Sequence, residues 1–315
     1  MASLAIDFGG TQVKFGLIDQ EGVVLCAAKV DSTANETIAF NLELISKKIR
    51  ELMASKGIDA RNVTSIGIAL PSIINSKENI VLSEYVKYTD ANTFDFNRWA
   101  LEEWSVPVIL ENDARAALVG EWKFGAGKEY ANIVLLTLGT GVGSAVLIDG
   151  KLFRGSNFIG GNLAGHIAVN ISGAPCNCGF IGCLETEASS WALPSIVERL
   201  GVKPDIDALA LPSLNFFHLF SAADQGNEAA KKVIDHCINT WAMAAVNVTH
   251  MYDPEVIIVS GGIMQRSNDI LPHMQHYIDT YSWLSPGSVT VLPAQQVEYA
   301  GLLGMSFLSH SIQTT

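Results

Sequence analysis

Asp7-Phe8-Gly9-Gly10-Thr11-Gln12-Val13-Lys14 is the stretch from which the fold can be read. Residues 4–6 before it read as a buried strand, and residues 13–17 resume as a second strand after the turn. Strand, glycine turn, strand excludes two common phosphate loops. The Gly-x-x-x-x-Gly-Lys-Ser/Thr spacing of a P-loop is absent. A dinucleotide fingerprint would run from its turn into a helix, not a strand. The glycines let the backbone approach closely and present N–H groups to an anion, and Thr11 adds a hydroxyl. Asp7, at the end of the first strand, is placed to hold Mg²⁺ directly or through water. Asp7, Gly9, Gly10, Thr11 and Lys14 form the first set of phosphate-binding candidates. Taken alone, the same residues also make an ordinary hairpin.

Working outward, residues 23–30 complete a three-stranded meander. A helix is predicted over 36–55, with Leu42, Ile45, Ile49 and Leu52 on one stripe. A strand over 63–70 stops at Pro71. A short helix over 96–103 and a strand over 106–110 lead into Glu111-Asn112-Asp113 and an alanine-rich helix over 114–122. The plan then repeats: strand 130–138, glycine turn 139–143, strand 144–148, a hairpin signal at Asp149-Gly150 and strand 151–154. A long helix is predicted over 227–251, then strand 256–259, Gly261-Gly262, helix 269–281, strand 289–292 and helix 298–308. Two halves share one grammar, a repeat of architecture and not of residues. They join near residues 113–121, and the cleft between such halves is the expected ligand site.

Leu138-Gly139-Thr140-Gly141-Val142-Gly143 places a second glycine loop where the second half opens. Two such loops fit a nucleotide phosphate chain gripped from both sides, through Gly139, Thr140, Gly141 and Gly143. Gly261-Gly262 offers a floor for an adenosine. Asp113 falls at or near a helix N-cap. It is either a cap or a general base, since a sugar hydroxyl becomes a nucleophile when a carboxylate accepts its proton. Asn112 offers a donor and an acceptor for substrate hydroxyls.

His166, Cys176, Cys178 and Cys183 bring one imidazole and three potential thiolates together in sequence. The pattern Cys-x-Cys-x-x-x-x-Cys, with Gly179 and Gly182 inside it, suits tetrahedral Zn²⁺. Four protein ligands leave no open position, so such a zinc is structural. The alternative is three buried or redox-active cysteines beside a chance histidine. Cys26 and Cys237 stand alone and read as core.

The 315 residues carry 20 basic and 32 acidic side chains, a formal charge of −12. An acidic surface repels nucleic acid and anionic membrane. Hydrophobic residues make up 49% of the chain, enough for a sizeable core. The start lacks a basic leader, and no apolar run reaches the roughly 20 residues that span a bilayer. A soluble cytoplasmic protein is expected.

These motifs together resemble the ROK family of repressors, open reading frames and sugar kinases. The residues that carry the likeness are 7–11, 111–114, 138–143, Gly165-His166 through the cysteines to Leu184-Glu185, and Asp253-Pro254-Glu255 leading to Gly261-Gly262. The resemblance implies an α/β fold, an actin-like (ribonuclease H-like) ATPase duplication of two lobes with a central cleft. It puts residues 1–115 and 298–315 in the N-terminal lobe and 116–297 in the C-terminal lobe, with the zinc loop at 166–183. It implies transfer of the ATP γ-phosphate to a hydroxyl, commonly the 6-OH, of a hexose or amino sugar. Asp113 matches the family's catalytic base, and Asn112, His166 and Glu185 match its sugar-contacting residues. Mg²⁺ and a structural Zn²⁺ accompany ATP, and a homodimer is suggested. Repressor members carry a helix-turn-helix domain before the first glycine loop; six residues precede Asp7 here, so none is expected. A sugar-binding regulatory protein with weak or no kinase activity is the alternative.

The chain departs from the family in the sugar pocket. Leu163 stands where the family has a glutamate that holds hydroxyls near the anomeric end of the sugar. Leucine cannot accept a hydrogen bond, so a buried hydroxyl facing it would be left unpaired. Pro71-Ser72 replaces Pro-Gly, and residues 83–86 replace an Asn-Leu segment. Either the sugar is a less common one, modified or lacking a hydroxyl near C1 or C2, or other residues such as Glu84, Tyr85 or Glu187 complete the pocket.

Overall fold

The computed structural model describes residues 2–32, 36–83, 88 and 90–310. In chain order the first elements are β1 (Ala2–Phe8), β2 (Gln12–Asp19), β3 (Val24–Asp31), α1 (Ile38–Ser55), β4 (Val63–Leu70), β5 (Ile74–Asn75), β6 (Ile80–Val81), α2 (Phe96–Trp104), β7 (Val108–Asn112) and α3 (Asp113–Phe124). There follow β8 (Ile133–Leu138), β9 (Val142–Ile148), β10 (Lys151–Leu152), α4 (Leu184–Ala188), α5 (Leu193–Arg199), α6 (Lys203–Asp207), α7 (Phe216–Asp224) and α8 (Glu228–Tyr252). The last are β11 (Val256–Ser260), α9 (Ser267–Tyr281), β12 (Thr290–Pro293) and α10 (Ala300–His310).

The strands form two five-stranded sheets on one plan. The first has the order β3-β2-β1-β4-β7 and the second β10-β9-β8-β11-β12. In each, three strands run as an antiparallel meander and the innermost of them continues into two parallel neighbours. The architectural repeat read from the sequence is therefore present. A ribbon of β5 and β6 accompanies the first sheet; it is too short to leave a pattern in the sequence.

The chain divides into two units. The first comprises residues 1–129, 154–159 and 298–315, and the second residues 130–153 and 160–297. In the first unit, the α1 stripe of Leu42, Ile45 and Ile49 joins Leu4, Ile6 and Phe15 in one core. Thr37 caps α1 by accepting the Phe40 N–H. Helices α3 and α10 touch through glycine: a Cβ on Gly120 would lie 2.1 Å from the Ala300 carbonyl oxygen, and one on Gly304 1.8 Å from that of Ala116. Backbones this close admit no side chain at the crossing.

In the second unit, the 25-residue helix α8 buries Val233, Ile234, Cys237 and Trp241. Residues 190–220 carry apolar helical stripes in sequence (Leu193, Ile196, Leu200; then Leu209, Leu211, Leu214) that read as packing, and in the structure α4–α7 pack around α8 with these side chains in or against its core. The strand expected over 151–154 pairs only at Lys151 and Leu152. Beyond it, the Arg154 guanidinium binds the buried Glu111 of the first unit, of which residues 154–159 are part.

Candidate active site and metal centre

The β7–α3 junction carries the proposed base. Asn112, in extended backbone, is the cap: its Oδ1 accepts the Arg115 N–H at 3.1 Å. Asp113 is thereby the first residue of α3. Its Oδ1 accepts from Asn112 Nδ2 at 2.9 Å and from the Ala114 N–H at 2.8 Å. Asn112 Nδ2 also reaches the Ser72 carbonyl at 3.3 Å. Asp113 keeps part of its surface open, yet burial of the carboxyl raises its pKa to about 7, with the charge of Asp7 adding to the effect. Asp7 is itself pushed up to about 6 by burial, against the pull of Lys14. Lys14 sits opposite Asp7 in the β1–β2 register, and its Nζ donates to the Glu298 carbonyl at 2.8 Å.

The glycine loops divide into tight and open positions. A Cβ on Gly10, Gly139 or Gly262 would meet nothing within 4 Å, so the backbone there lies beside free space. Gly9, Gly141 and Gly261 are closed by their own surroundings; a Cβ on Gly261, at φ +111°, would sit 2.0 Å from the Leu138 carbonyl oxygen. Thr11 and Thr140 are exposed. The Gly143 N–H donates to Thr137 Oγ1 at 3.1 Å.

His166, Cys176, Cys178 and Cys183 converge, their donor atoms all within 4.8 Å of one another. Cys176 Sγ lies 3.5 Å from His166 Nδ1, and Cys178 Sγ 3.6 Å from Cys183 Sγ. In a tetrahedron with ordinary zinc–sulfur and zinc–nitrogen bonds these edges measure about 3.6 to 3.8 Å. The donor set and spacing therefore fit Zn²⁺. Two isolated bridges, Ala168 to Cys183 and Pro175 to Ile181, hold the loop in shape.

Two of the residues beside this loop are already engaged. Glu185 Oε2 accepts the Val142 N–H of the second glycine loop at 2.8 Å. Glu187 is buried and accepts from Arg199 Nη1 at 2.9 Å, from the Ala174 N–H at 3.1 Å and from Asn170 Nδ2 at 3.2 Å. Three donors thus converge on the Glu187 carboxylate. Glu84 and Tyr85 lie outside the described residues. Leu163 is 37% exposed and precedes the turn Ala164–His166.

A cavity of about 660 Å³ adjoins the second loop. Gly139, Thr140 and Gly262 line it, together with Phe217, Phe220 and Arg266, which the sequence reading missed. One signal was available. Neighbouring residues on a helix cannot share a face, so Phe216-Phe217 must expose one ring; Phe216 is 7% exposed and Phe217 71%. The Arg266 guanidinium stacks over Phe220 at 4.6 Å and pairs with Asp224 and Asp269.

A model of the ROK family matches residues 3–312. The glucokinase of Thermotoga maritima is 31% identical over 315 aligned residues, 96% of this chain and 95% of that protein. The crystal structure of a ROK family glucokinase from Streptomyces griseus, in complex with glucose and AMPPNP, is 28% identical with a TM-score of 0.79, covering 99% of this chain and 100% of that one. A ROK family transcriptional regulator, a homolog of the E. coli MLC protein, is 26% identical with a TM-score of 0.82, covering 99% of this chain and 78% of the regulator. The fold is accordingly the actin-like ATPase duplication of these proteins.

Proposed function

As the chain belongs to the ROK family, we propose that it is an ATP-dependent sugar kinase that passes the γ-phosphate to the 6-OH of a hexose or modified hexose, with Asp113 as general base. The observation that carries this reading is the division of labour at the β7–α3 junction. Asn112 caps the helix, which leaves the Asp113 carboxyl for substrate, with a pKa raised to about 7. A base is most effective with its pKa near the working pH. Oδ2, which takes neither of the two bonds on Oδ1, accepts the hydroxyl proton.

The remaining roles follow from chemistry and position. Gly10 and Thr11 in the first loop, and Gly139 and Thr140 in the second, bind phosphate, while Gly9, Gly141 and Gly143 shape the two turns. Lys14 offsets phosphate charge once released from the Glu298 carbonyl. The 660 Å³ cavity, with Gly261-Gly262 at its edge, takes the nucleoside, and Phe217 stacks on the base. Asp7 is an oxygen donor that fits Mg²⁺, which when bound neutralises charge on the transferring phosphoryl group. His166, Glu185 and Asn112 contact the sugar. His166, Cys176, Cys178 and Cys183 would hold a structural Zn²⁺, which would fix the loop that carries His166. The protein works as a cytoplasmic homodimer on small molecules, without nucleic acid; its charge of −12 supports the last point. Among the described residues, no helix is long and apolar enough to cross a membrane.

Leu163, with Glu187 occupied elsewhere, supports a sugar that asks for fewer hydrogen bonds near C1 or C2. Turnover of Mg-ATP with glucose and its 2-deoxy, N-acetyl, 1-substituted and 6-deoxy forms tests this. A modified sugar should outperform glucose, and the 6-deoxy form should be inert. Equal or better turnover of plain glucose overturns the substrate reading; turnover of 6-deoxyglucose overturns the 6-OH assignment. The likeness to a transcriptional regulator favours one second reading, a sugar-binding regulatory protein. It requires sugar binding without phosphoryl transfer.

A further inference from the structure

We propose that Arg154 is a positioning residue for phosphoryl transfer, holding Asp113 through Glu111. The inference rests on Asp113 being the base. Glu111, next to last in β7, has a side chain with no solvent exposure. A buried carboxylate is unfavourable unless paired and hydrogen-bonded. Arg154 meets Oε2 with two donors, Nε at 2.9 Å and Nη2 at 2.6 Å. Oε1 accepts the Asn112 N–H at 3.0 Å and lies 3.5 Å from Arg115 Nη1.

A continuous series of contacts thus runs from Arg154 to the base. The Arg154 fork holds Glu111, Glu111 holds the Asn112 backbone, and Asn112 Nδ2 holds Asp113 Oδ1. A second link runs beside it. Arg115, also fully buried, donates from Nη2 to the Phe158 carbonyl at 2.9 Å. Residues 154 and 158 are therefore fastened at 111 and 115, either side of Asp113. Pairing charges around a buried carboxylate gives little stability beyond that of apolar side chains of the same volume. What it does give is fixed geometry, because Nε and Nη2 of one planar guanidinium donate together to Oε2 while Oε1 accepts the Asn112 N–H, so the carboxylate is held at both oxygens. Lysine keeps the charge and loses the fork.

The test compares Arg154→Met, Arg154→Lys and Asp113→Asn with the parent, using the best sugar acceptor and Mg-ATP, and normalising kcat to folded protein by thermal melting. Arg154→Met should lower kcat on the order of tenfold to a hundredfold. Its KM for ATP should stay within about twofold of the parent's. Arg154→Lys should fall between the two. Should Arg154→Met not fold, Arg154→Lys decides: a several-fold loss of kcat at unchanged KM supports the proposal, and parental kcat overturns it. Lowered melting with parental kcat per folded molecule also overturns it, because that is a purely structural role. Asp113→Asn separates the two layers. If it stays active, the base assignment fails. If it is inactive while Arg154→Met keeps parental kcat, the positioning role alone fails.

Discussion

Asn112 and Asp113 are neighbours of similar shape, and either side chain can cap a helix. The structure gives the cap to Asn112 and so leaves a carboxylate at the first helical position, where the helix dipole favours its charge. Burial and the Asp7 charge outweigh that help and raise the Asp113 pKa from 3.8 to about 7. Between those values the folded protein holds a proton that the unfolded chain has lost. Stability from this group therefore falls as pH rises through that window, and the loss is complete above about 7. Two outcomes follow. The acid limb of kcat/KM should have its midpoint near 7, and Asp113→Asn should melt above the parent at about pH 8, the gain shrinking towards about pH 5. An equal melting difference at both pH values would contradict the raised pKa. Asp113 and Asn112 were legible in the sequence as a pair, because both sit where a strand passes into a helix. Which of them caps was not, since that depends on side-chain rotamers. Arg154 was illegible: it lies 43 residues from Glu111, and no local pattern records such a contact.

At the scale of elements, the metal loop and α7 contrast. The loop was readable because three cysteines fall within eight residues, at a spacing that suits tetrahedral coordination. The purified protein should hold one zinc per chain. Cys178→Ser, at an exposed ligand, should lose it and melt at a lower temperature. Zinc-free parent protein with unchanged melting would refute the centre. The short helices α4–α7 were readable only as apolar helical stripes and not as separate elements; the 5- to 9-residue lengths give too few turns to mark their ends. One of them, α7, lines the cavity to which the nucleoside is assigned. Phe217→Ala should raise KM for ATP about tenfold, the size of one lost base–aromatic stack, with kcat little changed. An unchanged KM would place the base elsewhere.

The whole molecule is one architecture used twice, and the repeated meander with its glycine turn made that visible. Each sheet keeps buried parallel strands beside an antiparallel hairpin, so apolar runs and tight glycine turns alternate along the chain. The sequence showed less of how the chain is shared between the units. Residues 154–159 belong to the first unit although their neighbours on both sides belong to the second. At that crossing Arg154 pairs with the buried Glu111, a contact between residues far apart in the sequence.

ADP release from Mg-ATP across a broad sugar panel, with Asp113→Asn beside the parent, tests the kinase assignment most directly. Sugar-dependent turnover in the parent, reduced at least a thousandfold by the substitution, is the expected result, about the size of general-base catalysis with its positioning. Folded, zinc-loaded parent that binds sugar yet releases no ADP with any of them would contradict the kinase assignment and leave a sugar-binding protein.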